Sequence, residues 1–149
     1  MIPRFTGRIF IAFSLFLLIS TVLSANTEED IKAVVTSAYV EGIHIERNPE
    51  KVRAGFHPDF TMNVLKENKL VKISLDQWLS GMESGKKPAD PQPRPNVTHE
   101  FALVSVSGSA AVVRVELYRD GKHLFSDFLN LYQFEDGWKI VAKTFYRHP

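Results

Sequence analysis

The sequence predicts an α+β domain in which helices from the first half cover one face of an antiparallel sheet built from the second. Three observations predict it. Capped, helically spaced apolar runs occupy residues 27–82, and a proline-rich break runs from Glu83 to Asn96. After it come the β-rich runs Ala111 to Arg119, Lys122 to Phe134 and Trp138 to Tyr146, joined by Asp120-Gly121 and Asp136-Gly137. Asp-Gly between β-rich runs is a strong local hairpin signal, and helices followed by a meander make a layered α+β domain.

The first 25 residues read as a cleaved secretory signal. Arg4 and Arg8 precede an apolar core, Ile9 to Leu23, that is short for a span, and Val22-Leu23-Ser24-Ala25 supplies small residues for cleavage after Ser24 or Ala25. The alternative is an uncleaved N-terminal anchor. Residues 26–149 then form a single domain, secreted or periplasmic, with no membrane association after signal cleavage. The chain has no cysteine, so an exported form relies on packing rather than disulfides. A net charge of +1 and a pI near 8.0, without interleaved basic and aromatic residues, argue against nucleic acid as a partner. Asn96-Val97-Thr98 matches the N-glycosylation acceptor.

Thr27-Glu28-Glu29-Asp30 places a hydroxyl cap and acids at a helix start. Ile31, Val34, Val35, Ala38, Tyr39 and Gly42 follow at helical spacing. Asn48-Pro49 caps a short second helix that buries Val52 and Phe56 and stops before Pro58. Phe60 to Val64 and Leu70 to Ile73 read as two short strands around a polar turn. Ser74-Leu75-Asp76-Gln77 is a capping box opening a third helix, with Leu75, Trp78, Leu79 and Met82 inward. Glu83 to Asn96 reads as an exposed loop, and strands follow at Thr98 to Ser107 and Ala111 to Arg119, turned at Gly108-Ser109.

Tight turns fix register, and register fixes which side chains meet. With Asp120-Gly121 at the turn centre, Arg119 pairs with Lys122, Tyr118 with His123, Glu116 with Phe125 and Arg114 with Asp127. With Glu135-Asp136-Gly137 as a three-residue loop, Asp127 faces Phe145 and lies diagonally from Lys143. One face then carries Arg114, Tyr118, Asp127, Lys143 and Phe145. Convergent charge among apolar neighbours suits the floor of a pocket, and equally suits a structural ion cluster or a solvated face. The opposite face, with Val113, Val115, Leu117, Leu124, Phe128 and Tyr132, is apolar enough to need a cover or a partner.

His44 and His57 are candidate bases, but each lies near a helix end where capping explains it. An imidazolium at the end of the first helix would suit the dipole. Their spacing fits no zinc motif, and His99, His123 and His148 have no close companion in sequence, so no metal and no cofactor is expected. Glycine-rich phosphate loops, a Gly-x-Ser-x-Gly elbow and a cysteine nucleophile are all missing from the sequence.

Tyr39-Val40-Glu41-Gly42-Ile43-His44, Phe56-His57-Pro58-Asp59, Leu70 to Trp78, Gly108 to Val115, Asp127 to Leu131 and Gly137 to Lys143 resemble, in order, the putative lumazine-binding family of the nuclear-transport-factor-2-like, SnoaL-like superfamily. The resemblance implies a cone, in which a strongly curved antiparallel sheet of cystatin-like type wraps about three N-terminal helices around a pocket. It also implies homodimerisation through the outer sheet face. Steroid isomerases of the superfamily pair a tyrosine on the first helix with an aspartate on the first strand. Tyr39 resembles that tyrosine, whereas an ungapped carry-over puts Val64 in the aspartate's place, and a valine takes no proton.

The expected function is binding of a small, partly apolar molecule without turnover. Tyr39, Phe56, Phe60, Trp78, Arg114, Tyr118, Asp127, Lys143 and Phe145 are the expected ligand-binding residues. The aromatics among them are equally explained as core. The rivals are a proton-transfer enzyme of isomerase, dehydratase or hydrolase type, drawing on Tyr39, His44, His57 or Asp127, and an interaction module using the outer sheet face.

Overall fold

A computed structural model describes residues 27–84 and 96–149 of the chain. The expected signal segment and residues 85–95 of the expected loop lie outside the described residues. Among the described residues, no helix is long and apolar enough to cross a membrane.

The first helix, α1, is α-helical over residues 27–34 and continues as a π-helix over Val35–Ile45. The sequence predicts an uninterrupted α-helix here. In a π-helix the bonds run between residues five apart, and Glu46 N donating to Glu41 O at 2.7 Å closes that ladder. Residues five apart therefore stack, which puts Tyr39 and His44 on one face with their rings edge to face at 4.9 Å.

The second helix, α2, spans Pro49–Gly55, with Asn48 Oδ1 accepting from the backbone N–H groups of Glu50 (3.0 Å) and Lys51 (3.3 Å). It lies so close to α1 that a Cβ on Gly55 would fall 2.3 Å from Ala38 Cβ. The third helix, α3, spans Leu75–Ser84. Its capping box forms reciprocally: Ser74 N donates to Gln77 Oε1 at 2.9 Å, and Gln77 N to Ser74 Oγ at 3.2 Å. Glu83 and Ser84 complete this helix rather than opening a loop.

Six strands follow the chain as β1 (Phe56–Lys66), β2 (Lys69–Ser74), β3 (Val97–Ser107), β4 (Ala110–Arg119), β5 (Lys122–Phe134) and β6 (Gly137–Arg147). They form one curved, unclosed sheet in the order β2-β1-β6-β5-β4-β3. The α+β fold is as the sequence predicts, but the sheet is mixed, because β1 and β6 pair in parallel. From β2 the chain crosses through α3 to the far edge. It then returns strand by strand, so β6 reaches β1 running in the same direction.

Asp120 (φ 52°) and Gly121 (φ 76°) both take the left-handed conformation that a two-residue hairpin turn requires. Arg119 pairs with Lys122 and Tyr118 with His123, as expected, but a bulge between Leu117 and Tyr118 then shifts the ladder. Arg114 lies opposite Phe128, Glu116 opposite Ser126 and Val115 opposite Asp127. A one-residue shift exchanges the faces of a strand. Val113, Val115 and Leu117 therefore face the helices, and Arg114, Glu116 and Tyr118 the outer surface.

The β5–β6 loop is two residues long, since Phe134 pairs with Gly137. A second bulge, between Asn130 and Leu131, absorbs the difference, so Asp127 does face Phe145 and Lys143 lies beside it. The core between helices and sheet is sealed by Ile31, Val35, Val52, Phe60, Leu75 and Ile140, each at most 1 % exposed.

Candidate functional site

Three polar side chains meet inside this core. Tyr39 comes from α1, Asp127 from β5 and Lys143 from β6, and they are 0, 0 and 4 % exposed. Tyr39 OH donates to Asp127 Oδ2 at 2.6 Å and accepts from Lys143 Nζ at 2.5 Å, while Lys143 Nζ lies 2.7 Å from Asp127 Oδ1. Four rings surround the ammonium: Tyr39 at 4.5 Å, Phe145 at 5.0 Å, Trp78 at 5.5 Å and Phe125 at 5.8 Å. Burial, reinforced by the charge and hydrogen bond of Asp127, raises the Tyr39 hydroxyl well above its ordinary pKa. Burial lowers the Lys143 pKa, with Asp127 opposing the shift. The tyrosine is thus a neutral phenol, with its proton committed to Asp127. The cluster ties α1 to the sheet at a single register.

Beside it, on the solvent side of Trp78 and His44, a cleft of about 440 Å³ opens between α1, the first hairpin, α3 and the end of β4. Ile43, Met62, Ile73, Trp78 and Met82 give it apolar walls. Its polar side chains are Arg47, Arg119, Gln77 and His44, with no carboxylate lining it among the described residues. Arg47, at φ 55° just past α1, donates to the carbonyl of Met82 and so spans the cleft to α3. A volume of this size, with apolar walls and a few polar groups, is typical of small-molecule sites.

His44 links cleft and cluster. Burial first, then the charges of Lys143 and Arg119, lower its pKa to about 3. It is therefore a neutral imidazole at physiological pH, not the imidazolium expected at a helix end. Its Nε2 is buried with no hydrogen-bond partner among the described residues. An unmet buried nitrogen costs about 1–3 kcal/mol, which a ligand atom bonded to it would recover.

Of the residues singled out in the sequence, Tyr39, Phe56, Phe60, Trp78, Asp127, Lys143 and Phe145 do come together. Phe56 and Phe60 pack on Trp78 at 5.9 and 5.8 Å, behind the cleft wall. Trp78 alone of these lines the cleft, together with His44 from the candidate bases. Arg114 does not meet Asp127, because the extra residue Leu124 bulges from β5 and puts Asp127 on the opposite face; Arg114 lies outward, where it pairs with Glu116 at 2.5 Å and lies over Phe128 at 5.8 Å. Tyr118 is outward for the same reason and stacks on His123 at 4.7 Å. His57 caps no helix: α2 ends at Gly55, and His57 Nδ1 accepts from Asp59 N at 3.1 Å while its ring stacks on Phe134. Arg47, Gln77 and Arg119 are absent from the site residues read from the sequence, although Gln77 reads there as part of a cap and Arg119 as a turn neighbour. Gln77 has a visible signal, one residue before Trp78 on a capped helix; the arginines lie beside turns with no chemical pattern around them.

The family profile described as "Putative lumazine-binding" matches residues 26–146. Among curated protein sequences no relative is found. Solved structures share the fold. An NTF-2-like protein of unknown function from Silicibacter pomeroyi DSS-3 is 24 % identical, with 84 % of this chain and 98 % of that one covered at a TM-score of 0.67. An NTF2-like protein of unknown function from Shewanella baltica OS155 is 21 % identical over 81 % and 93 %, with a TM-score of 0.64. A third, from Methylobacillus flagellatus KT, is 24 % identical over 81 % and 91 %, with a TM-score of 0.60. With the profile spanning nearly all of the described residues and the same curved sheet in these structures, the chain belongs to the putative lumazine-binding family and has the NTF2-like fold.

Proposed function

We propose that this protein binds a small, partly apolar, acidic molecule in the cleft beside His44, without turning it over. The observation that carries the reading is the combination of apolar walls, two arginines without a lining carboxylate, and the unpartnered Nε2 of His44. A compact heteroaromatic anion would lie on Trp78, bond to His44 and face the guanidinium groups of Arg47 and Arg119. The family's description, which names lumazine, fits a ligand of that chemistry. Binding is favoured over proton-transfer catalysis because Tyr39 and Asp127 are engaged with each other and with Lys143 behind the cleft wall. His44, with a pKa near 3, is a weak base at neutral pH.

The test is titration of the protein with lumazine, read as quenching of tryptophan fluorescence, in wild type and Arg119→Gln. Native mass spectrometry of protein purified from its own host accompanies it, to detect any other co-purified ligand. Saturable binding, or a co-purified acidic molecule, that weakens in Arg119→Gln supports the reading. Failure of both overturns it.

The reading extends to export by the N-terminal segment, checked by fractionation and N-terminal sequencing, and to a homodimer through the outer sheet face. Leu103, Val112, Phe128, Tyr132 and Tyr146 are exposed large side chains suited to such an interface. Light scattering that finds only monomer at micromolar concentration would refute the dimer.

A further inference from the structure

On the outer face of the sheet, away from the cleft, three further polar residues converge that lie far apart in sequence. Glu116 projects from β4, His123 from β5, and His148 from the segment after β6, where its backbone N–H donates to Leu124 O at 2.9 Å. One oxygen or ring nitrogen from each lies within 4.8 Å of the other two. The two imidazole rings stack with centroids 3.7 Å apart. Ser126 bridges Glu116 and His148: its Oγ is 2.5 Å from Glu116 Oε2 and 2.9 Å from His148 Nε2, while His123 Nε2 is 2.9 Å from the same Glu116 oxygen.

We propose that Glu116, His123 and His148 form a binding site for a divalent transition-metal ion of the zinc type. Two imidazoles and a carboxylate are a donor set suited to such ions, and three protein ligands leave a further position for water. Four-coordinate donors sharing one ion at bonds of about 2.1 Å lie about 3.4 Å apart, so binding draws the three groups together and turns the stacked imidazoles until their ring nitrogens converge. His123 and His148 are partly exposed, which gives an ion access, whereas Glu116 is buried and held from its other side by Arg114 at 2.5 Å. Support of this kind orients a ligating carboxylate.

The hydrogen-bond pattern also states what must change on binding. A carboxylate only accepts, so both His123 Nε2–H and the Ser126 hydroxyl donate to Glu116, and His148 Nε2–H donates to the Ser126 oxygen. Each imidazole ligates after its proton moves from Nε2 to Nδ1, which frees the Nε2 lone pair without changing the ring's charge.

The experiment is calorimetric titration of the tag-free chain with Zn²⁺, with Co²⁺ absorption as a second readout, on wild type, His123→Gln, His148→Gln and the control His99→Gln. Near-UV circular dichroism reports folding, and nitrogen-15 NMR of the imidazoles reports the tautomer. The expected result is one ion per chain, a change from Nε2–H to Nδ1–H at His123 and His148, and affinity lower by about ten-fold or more in each folded site variant but not in the control. Zn²⁺ binding that is undetectable, or equal in wild type and both site variants, overturns the proposal and leaves the cluster as a hydrogen-bonded anchor for the last strand.

Discussion

Replacing Lys143 with methionine removes the ammonium and keeps most of the side chain's volume. At 2.7 Å the Lys143–Asp127 attraction is about 6 kcal/mol if the effective dielectric constant is about 20, and the cost of burying the two charges largely cancels it. The pair therefore adds little net stability. Breaking it is another matter, because Asp127 is 0 % exposed and, among the described residues, keeps only the Tyr39 hydroxyl as donor. Lys143→Met should destabilise the fold by about 3–5 kcal/mol, as for other buried pairs that lose one partner. The double variant Lys143→Met, Asp127→Leu leaves only the Tyr39 hydroxyl unpaired, a cost of about 1–3 kcal/mol, and should be more stable than the single variant. Urea unfolding at pH 7, followed by tryptophan fluorescence and read as a cycle that includes Asp127→Leu, measures both. A single-variant loss under about 1 kcal/mol, the range of exposed ion pairs, would refute the reasoning, as would strict additivity.

Three further outcomes follow from the same packing. His44 has a pKa near 6.5 when unfolded and about 3 when folded. Only the unfolded chain binds its proton across that window, so this contribution to stability is present above pH 6.5 and is lost as pH falls towards 3. Between pH 7 and 5 the wild type should lose about 2 kcal/mol more than His44→Gln, measured by urea unfolding at each pH. Gly55→Ala places a Cβ 2.3 Å from Ala38 Cβ and should force α2 off α1 at a cost of about 1–3 kcal/mol; adding Ala38→Gly should recover part of the lost thermal midpoint. Asn48→Ala removes the acceptor for two α2 N–H groups and should cost about 1 kcal/mol in the same urea assay.

Much of the architecture is legible in local chemistry. The Asn48-Pro49 cap, the Ser74–Gln77 box and the Asp120-Gly121 turn all form, because each depends on residues within a few positions of one another. Asp127 beside Lys143 was also readable, although by a route in which a bulge at Val141 replaces the expected third loop residue. The placement of Arg114 failed at the next bulge. A bulge is a response of the whole sheet to curvature, and nothing around Leu124, the extra residue, announces it.

The sequence by itself determined the capped helix starts, the Asp120-Gly121 turn, the α+β class and most of the aromatic set around Lys143, because periodicity, caps and turn chemistry act over short distances. Only the tertiary structure decided the parallel pairing of β1 with β6, the π-helical turn that sets His44 edge to face with Tyr39, the cleft faced by Arg47 and Arg119, and the meeting of Glu116, His123 and His148. Each of these joins groups from different elements. Such meetings are set by how a curved sheet and three helices share one core, a balance of burial and strain over the whole chain that no local pattern records.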